Sequence, residues 1–286
     1  MSESLSMVAH DLPVNGINLH YVTWGAFTQP ERAVLLVHGL TANSQGWASL
    51  APRLAAEGWY VIAPDLRGRG LSDKPPHGYG TPFHVNDLLS LCDALSLPTV
   101  HLIGHSMGAL IGLFFAGTYP KRLGKLVLVD RGGRLPADAL QAIGPALGRL
   151  GQVYPSLDVY LEERSKSPAH EWNPLWEAYY RYDAEVHPDG TVTSRVPKAA
   201  IEEEFLVEST LNIEVPLARI QAPTLLARAA LGTLAPDRGF ILAADEAERV
   251  GSIIPGCRLV TISDANHYTI IVSDTFAQAA LAFLAE

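Results

Sequence analysis

The sequence predicts an α/β protein in which a doubly wound, mostly parallel sheet is covered by helices. The first observation is a regular alternation of short apolar, β-rich runs with helical patterns along the 286 residues. The second is that these β-rich runs are continuously apolar, which is typical of parallel strands buried on both faces. The third is that the alternation stops between residues 132 and 220, where no strong strand run occurs.

The elements follow one another in a simple order. Val14-Asn15-Gly16-Ile17 predicts a hairpin, because Asn-Gly favours the tight turn between two antiparallel strands. Buried strands are predicted at residues 33–37, 59–63, 100–103, 125–129, 224–226 and 257–262. Helices are predicted between them, at residues 49–57, 85–95, 107–119, 236–250 and 275–284.

The interruption of this pattern predicts an insertion. Its helical segments are residues 136–147, 172–182 and 199–209, and Pro188-Asp189-Gly190 marks a turn. A loop of this length is rare in a compact domain. We therefore expect a core domain of residues 1–132 and 217–286, and a helical cap of residues 133–216 that lies over the edge of the sheet.

Composition excludes several classes of function. A formal charge of −9 argues against nucleic acids and anionic membranes as partners. No window reaches the roughly 18 uninterrupted apolar residues of a membrane helix, and residues 1–6 lack the features of a secretory signal. Cys92 and Cys257 show no C-x-x-C spacing, and Cys92 lies in an apolar helical pattern typical of an inert buried thiol. A cytoplasmic protein is expected, and its oligomeric state is left open.

Ser106 is the candidate nucleophile. It lies at the centre of Gly104-His-Ser-Met-Gly108, between a strand run and a helical run. A strand, a sharp turn and a helix would expose the serine hydroxyl and aim the first N–H groups of the helix at its target. The turn leaves no space for side chains at positions 104 and 108, so glycine is needed there.

His267 is the candidate general base. It follows the last strand run, at the edge where active sites of open α/β sheets lie. The other histidines of the ten lie in early strands, loops, helices or the insertion. His38 and His105 lie in motifs beside the predicted site but are poorly placed to act as the base.

Asp130 is the candidate for the carboxylate that orients His267. It ends the run Lys125-Leu-Val-Leu-Val129, at the sheet edge expected to hold Ser106. A strand-end cap is the structural alternative for this residue. Asp237 is better explained as an N-cap, and Asp264 lies too near His267 in the sequence.

A second strand end supplies the predicted oxyanion hole. Gly39, in Val37-His-Gly-Leu40, would let the backbone approach a reacting carbonyl, so that the N–H groups of Leu40 and Met107 stabilise its negative charge. A plain strand–loop turn is the alternative. The sequence has no phosphate-loop motif and no metal-ligand spacing, so neither a cofactor nor a metal is expected.

These features together resemble the α/β-hydrolase superfamily with a cap domain. The resemblance rests on the order Ser106, Asp130, His267, on His38-Gly39, and on the run Asp65-Leu-Arg-Gly-Arg-Gly-Leu-Ser-Asp-Lys-Pro75. It covers nearly the whole chain. It implies the α/β-hydrolase fold, a mostly parallel eight-stranded sheet flanked by helices, with an inserted helical cap.

The sequence departs from the commonest pattern of that superfamily at the acid. Many members carry Pro-Thr-Leu-Leu-x-x-Gly-x-x-Asp after the following strand, whereas this chain has Gly232 where the aspartate is expected. The departure favours Asp130. It resembles a minority subgroup with the acid one strand earlier, which includes hydrolases that cleave amides formed during N-heterocycle breakdown.

The predicted chemistry is acyl transfer to water. Related dehalogenases and epoxide hydrolases use a carboxylate nucleophile, which Ser106 excludes. Because esters are cleaved more easily than amides, a carboxylesterase acting on a small molecule is the first hypothesis. The alternatives are an amide hydrolase of a small acidic substrate, which would need an arginine anchor, a C–C bond hydrolase, and a ligand receptor without catalysis. Five arginines are available as anchors: Arg131, Arg134, Arg149, Arg164 and Arg181.

Aromatic side chains are enriched in the insertion and have two interpretations, either as walls of an acyl pocket or as packing between cap and sheet. They are Trp172, Trp176, Tyr179, Tyr180 and Tyr182. All three triad candidates and both oxyanion donors lie outside the insertion. The core is therefore expected to carry the chemistry and the insertion to form its roof.

Overall fold

An eight-stranded sheet forms the centre of the computed structural model, which describes residues 6–286. Its strands are β1 (Val8–Val14), β2 (Ile17–Trp24), β3 (Ala33–Val37), β4 (Tyr60–Pro64), β5 (Val100–His105), β6 (Leu123–Val129), β9 (Thr224–Ala229) and β10 (Arg258–Ile262). Across the sheet the order is β1-β2-β4-β3-β5-β6-β9-β10, and only the β1–β2 and β2–β4 pairs are antiparallel. The predicted fold class is confirmed.

The helices fall into two groups. Those that cover the sheet are α1 (Ala51–Ala56), α2 (Thr81–Ala94), α3 (Met107–Thr118), α10 (Ala244–Ile253) and α11 (Asp274–Ala285). Those that lie between β6 and β9 are α4 (Ala139–Ala142), α5 (Gly144–Leu147), α6 (Leu157–Ser165), α7 (Pro174–Asp183), α8 (Lys198–Glu208) and α9 (Glu214–Leu217). The second group lies between β6 and β9 in the chain only, because the two strands are neighbours in the sheet. Apart from Leu217 it falls within residues 133–216, which we call the inserted segment.

The central strands β3 and β4 are apolar because both faces of the sheet are covered there. Alternate residues of β3, such as Leu35 and Val37, belong to one core with α2, α3 and α10, whereas Val34 and Leu36 belong to a second core with α1 and α11. All four of these β3 residues are fully buried. Burial on both faces explains why these runs do not alternate between apolar and polar residues.

The N-terminal hairpin has the turn that its sequence predicts. Asn15 and Gly16 both have positive φ, 46° and 78°, as a type I′ turn requires. Each residue of β1 pairs with one of β2 in a continuous antiparallel register, from Val8 opposite Thr23 to Val14 opposite Ile17. Residues 1–5, on which the expectation of no secretory signal partly depends, lie outside the described residues.

Two secondary-structure predictions need correction. The helix predicted at residues 236–250 begins only at Ala244, because residues 235–238 form a turn and Gly239 has a left-handed φ of 77° that interrupts a helix. The inserted segment also contains a two-stranded hairpin, β7 (Ala184–Val186) and β8 (Val192–Ser194), as well as the unpredicted helix α6. The predicted turn at Pro188-Asp189-Gly190 joins the two strands of that hairpin.

The parallel order brings the candidate residues to one edge of the sheet. β3, β5 and β6 are neighbours, and their carboxyl ends lead into Leu40, Ser106 and Asp130. His267 follows β10 at the same edge. Residues that are distant in the chain therefore meet where parallel strands end. Over residues 6–286, no helix is long and apolar enough to cross a membrane.

The approach of α3 to β3 generates the first prediction. A Cβ at Gly108 would lie 2.0 Å from the carbonyl oxygen of Val37, so Gly108→Ala must push helix and strand apart. We expect a loss of about 1–3 kcal/mol or more in the free energy of unfolding, measured by denaturant titration. Gly251→Ala in α10 is the control, because no atom lies within 4 Å of its added Cβ. Equal stability of the two variants would contradict this explanation.

Candidate active site

Ser106 lies on a strained turn between β5 and α3. Its backbone has φ 55° and ψ −120°, outside the regions that non-glycine residues prefer. Its own N–H donates to the carbonyl of Val129 at 3.0 Å. A Cβ at Gly104 would lie 2.2 Å from the carbonyl oxygen of Gly108, so the turn excludes side chains there as the sequence predicts.

The structure brings Ser106, His267 and Asp130 into one hydrogen-bonded chain. The Oγ of Ser106 lies 3.1 Å from Nε2 of His267, and Nδ1 of the same ring lies 2.8 Å from Oδ2 of Asp130. A carboxylate only accepts, so Nδ1 carries the proton and Nε2 is free to accept from the serine hydroxyl. His267 and Asp130 are buried, with side chains 4% and 2% exposed.

The carboxylate of Asp130 is held from a second side. Its Oδ1 accepts from the N–H of Ala229 at 2.9 Å, and its own N–H donates to the carbonyl of Ala227 at 2.7 Å. Asp130 has a positive φ of 50°, which turns the chain away from β6. Both oxygens of the carboxylate are therefore fixed, and the imidazole of His267 is fixed with them.

The other carboxylates considered lie away from His267. Asp237 is exposed, and Asp264 is exposed and accepts from Ser273. Gly232 stands where the superfamily commonly has its acid, and a Cβ there would lie 1.8 Å from the carbonyl oxygen of Arg238. In this loop conformation no side chain fits at position 232.

His105 supports the backbone of His267. Its Nε2 donates to the carbonyl of His267 at 2.8 Å, and the two rings lie 4.7 Å apart between centroids. Burial, together with the charge of His267, holds the pKa of His105 well below its usual value, despite the opposing hydrogen bond. His105 is therefore a neutral, buried support for the loop that carries His267.

The predicted oxyanion donors are the N–H groups of Leu40, which follows β3, and of Met107, the first residue of α3. Both residues line the cavity that contains Ser106, and within residues 6–286 neither N–H donates to a protein acceptor. Gly39 makes this approach possible, because its added Cβ would lie 3.2 Å from Cβ of Ser106. The arrangement suits two donors to one oxygen atom bound beside the serine.

His38 orients the peptide that ends in the N–H of Leu40. Its Nε2 accepts from the N–H of Leu66 at 3.0 Å, so its Nδ1 carries the proton and donates to the carbonyl of Gly39 at 2.8 Å. Burial lowers the pKa of His38 to about 3, against the effect of this hydrogen bond. In a trans peptide the C=O and N–H point in opposite directions, so a bond to the Gly39 carbonyl fixes the Leu40 N–H.

The cavity beside Ser106 is small and largely apolar. Its volume is about 100 Å³, below the range of about 300–1,000 Å³ typical of drug-sized ligands. Apolar side chains of α3, of the loop after His267 and of the inserted segment form its walls, among them Met107, Ile143, Leu147, Trp176, Phe205 and Ile271. The aromatic residues of the insertion divide, because Trp176 and Tyr179 line the cavity whereas Tyr182 donates to Asp65 at 2.5 Å.

Arg131 is the one cationic side chain among the described residues that line this cavity. It forms a salt bridge with Glu208 of α8, which lines the same cavity, and donates to the carbonyl of Gly133 at 2.6 Å. Burial lowers the pKa of Arg131, but the charge of Glu208 opposes that effect. The positive charge is thus neutralised inside the cavity.

The sequence predicts no supporting role for three buried residues, of which His105 bonds the carbonyl of His267 and Arg69 and Arg149 bond the carbonyls of Leu40 and Thr41. Asp65 joins two loops, because its carboxylate accepts from the N–H groups of Ser44 and Leu71. The motif from Asp65 to Pro75 contains Arg69, but it does not predict the partner of Arg69, which is the distant Glu204. In the described part of the chain, no three His, Cys, Asp or Glu side chains are grouped as a metal site.

Comparisons with known proteins agree with this fold. A family model described as "alpha/beta hydrolase fold" matches residues 32–156. A solved structure, E-2-(acetamidomethylene)succinate hydrolase, has a TM-score of 0.85 at 21% identity and covers 98% of this chain and 100% of that one. The chain has the α/β-hydrolase fold, as the sequence predicts.

Two relatives are similar over part of the chain. The 3-hydroxybutyrate-oligomer hydrolase of Cupriavidus necator is 34% identical over 149 residues, 51% of this chain and 50% of that protein. The N-formylmaleamate deformylase of Pseudomonas putida is 38% identical over 122 residues, 42% of this chain and 44% of that protein. The chain spans half or less of the length of these relatives.

The burial of His38 generates a prediction about its protonation. Because its pKa is lowered to about 3, the ring should stay neutral, with the proton on Nδ1, from pH 8 down to about pH 5. Nitrogen NMR of labelled histidine would show Nε2 unprotonated throughout that range. A ring that titrates near the usual value of 6.5 would contradict this assignment.

Proposed function

We propose that this protein is a serine hydrolase that cleaves small carboxylic esters through an acyl-enzyme. The observation that carries the proposal is the hydrogen-bonded chain from Ser106 through His267 to Asp130, at a cavity lined by two residues whose N–H groups have no protein acceptor within residues 6–286. A serine hydroxyl is a weak nucleophile without an oriented base. The three residues supply nucleophile, base and orienting carboxylate.

Acylation begins when Ser106 Oγ attacks the carbonyl carbon of the ester and passes its proton to Nε2 of His267. Asp130 keeps the imidazole oriented and stabilises its positive charge. The N–H groups of Leu40 and Met107 donate to the oxyanion of the tetrahedral intermediate. The C–O bond to the alcohol then breaks, and the alcohol leaves with the proton from His267.

Deacylation repeats the sequence with water. His267 takes a proton from water as the oxygen attacks the acyl carbon, and the same N–H groups stabilise the second oxyanion. Ser106 leaves with the proton from His267, and the carboxylic acid is released. No metal or cofactor is required, since the protein groups supply every proton transfer.

The charge of the cavity favours a neutral acyl group. An acidic substrate needs an unpaired cation, and the arginine that lines the cavity, Arg131, is paired with Glu208. A carboxylate bound there would meet Glu208 as a like charge. The apolar walls suit a short acyl chain, and the volume of about 100 Å³ limits its size.

An amide hydrolase of a small acidic substrate is the second candidate. It is favoured by the position of the acid after β6, which resembles the subgroup that cleaves amides, and by the partial identity with the deformylase. It requires that the substrate displace Glu208 from Arg131.

We also propose that residues 133–216 act as a cap that selects the acyl group, because α5, α7 and α8 provide apolar walls of the cavity.

The triad generates a direct test of the chemistry. Ser106→Ala should abolish hydrolysis of 4-nitrophenyl esters, and an organophosphate ester should label Ser106 alone, measured by peptide mass spectrometry. Asp130→Asn should lower kcat by about 10⁴-fold because His267 loses its orienting acceptor. Asp264→Asn is the matched control, since Asp264 is exposed and contacts Ser273 instead.

Retention of hydrolysis by Ser106→Ala within tenfold of the native protein would exclude a serine mechanism. A loss of activity in Asp264→Asn as large as that in Asp130→Asn would instead mean that Asp130 has no special relation to His267. Circular dichroism of each variant separates loss of chemistry from loss of fold.

Glu208 generates a test of substrate charge. Two esters with the same leaving group are compared, 4-nitrophenyl pentanoate and mono-4-nitrophenyl succinate, which adds a carboxylate to the acyl chain. The native protein should prefer the pentanoate. Glu208→Gln leaves Arg131 without its carboxylate partner. The kcat/KM for the succinate should therefore rise by roughly tenfold relative to that for the pentanoate, which corresponds to about 1.4 kcal/mol of transition-state binding.

Glu177→Gln in α7 is the control, because Glu177 is part of the same inserted segment but pairs with Arg181 at the surface. A native preference for the succinate would favour the acidic amide hypothesis. An unchanged ratio in Glu208→Gln would show that Arg131 does not contact the acyl group.

A further inference from the structure

Two buried arginines hold the loop that contains Leu40, the proposed oxyanion donor. We call residues 39–41 the oxyanion loop. Nε of Arg69 donates to the carbonyl of Leu40 at 3.0 Å, and Nη2 of Arg149 donates to the carbonyl of Thr41. Nη1 of Arg149 also lies 3.3 Å from Oγ1 of Thr41. These bonds fix the two peptides that follow Leu40.

Each arginine is in turn held by a carboxylate of the inserted segment. Nη1 of Arg69 lies 2.8 Å from Oε1 of Glu204 in α8, and the two side chains are 0% and 4% exposed. His84 of α2 lies 2.6 Å from the same oxygen, Oε1 of Glu204. Burial would raise the pKa of Glu204, but the charges of His84 and Arg69 lower it to about 2.

The second carboxylate is Asp183, at the end of α7. Its Oδ2 lies 3.2 Å from Nε of Arg149, with both side chains almost fully buried. Oδ2 also accepts from Tyr160, and Oδ1 accepts from Ser194 at 3.2 Å. Asp183 is therefore fixed by three partners, and it fixes the direction of the guanidinium that reaches the oxyanion loop.

We propose that Arg69 and Arg149 are positioning residues for the oxyanion hole, and that Glu204 and Asp183 of the inserted segment set their geometry. The inference rests on the proposed function. The N–H of Leu40 belongs to the Gly39–Leu40 peptide, whose rotation His38 restrains through the carbonyl of Gly39. The carbonyl of Leu40 belongs to the next peptide, which shares the Cα of Leu40, so its bond to Arg69 fixes the position from which the N–H points.

The proposal predicts a loss that is specific to the transition state. Glu204→Gln removes the charge that holds Arg69, so the acylation rate should fall by about 10–100-fold, less than or similar to the loss of one oxyanion donor. The affinity for a trifluoromethyl ketone, which forms a tetrahedral adduct with Ser106, should fall by the same factor. The affinity for the matching methyl ketone, which binds without an oxyanion, should be unchanged.

Glu203→Gln is the matched control. Glu203 lies next to Glu204 on α8 and also joins the inserted segment to the core, because its Oε1 accepts from the N–H groups of Gly78 and Tyr79 at 3.0 and 3.1 Å. It has no bond to Arg69 or to the oxyanion loop. Its acylation rate and its trifluoromethyl ketone affinity should stay within about twofold of the native values.

Asp183→Asn tests the other arm through Arg149, and it keeps the proposal testable if Glu204→Gln does not fold. Its affinity for the trifluoromethyl ketone should fall in the same way, and its affinity for the methyl ketone should be unchanged. Equal losses in Glu203→Gln and Glu204→Gln would overturn the proposal, because docking of the segment alone would explain them. An unchanged trifluoromethyl ketone affinity in folded Glu204→Gln or Asp183→Asn would overturn it as well.

The two proposals fail in different ways. Failure of the native protein to form the trifluoromethyl ketone adduct on Ser106 would overturn the proposed function and with it this inference. An adduct that forms on the native protein and on the folded Glu204 and Asp183 variants with equal affinity would overturn only the positioning role.

Discussion

The close crossing of α3 over the ends of β3 and β5 is the constraint on which the site depends. Gly108 lies against the carbonyl of Val37, and Gly104 lies against Gly108, at separations that exclude a Cβ. This crossing requires the sharp turn at Ser106, which exposes its hydroxyl, and it places the first N–H of α3 beside the loop that follows β3. One contact between backbones thus brings together the candidate nucleophile and both candidate oxyanion donors.

Buried charge imposes the second constraint. Arg69, Glu204, Arg149 and Asp183 are all almost fully buried, and a charge in the interior is tolerated only when it is paired and hydrogen-bonded. Removing one member of such a pair costs about 3–5 kcal/mol. The Arg69–Glu204 pair joins the core to the inserted segment, and Arg149, which pairs with Asp183, donates across the same boundary to Thr41. These contacts fix the position of the inserted segment relative to the core. The oxyanion loop lies between them and is held from both sides.

The sequence predicted those parts of the fold that depend on local patterns. Apolar runs located the buried strands. Gly104 and Gly108 located the turn at Ser106, because the backbone contact between them leaves no space for a side chain. Asp130 was accessible to the same reasoning, since it ends a strand and Gly232 removes its rival. Arg69 and Glu204 were not, because a buried ion pair between distant positions leaves no periodicity in the chain. The strands of the β7–β8 hairpin are three residues each, too short for a pattern.

If Arg69 and Arg149 position the oxyanion loop as proposed, the inserted segment takes part in the chemistry as well as forming a roof over the site. Glu204 and Glu208 are separated by one helical turn and lie on one face of α8. The first pairs with Arg69 and the second with Arg131. A movement of α8 would therefore disturb the cation of the substrate cavity and the cation of the oxyanion loop together. If Leu40 is positioned as proposed, a substrate that is too large would push α8 away from the core and weaken the contact of Glu204 with Arg69. Such a substrate would bind but be hydrolysed slowly, because the N–H of Leu40 would no longer be held in place to stabilise the transition state. Selection of the acyl group would then act on the rate of the chemical step as well as on affinity.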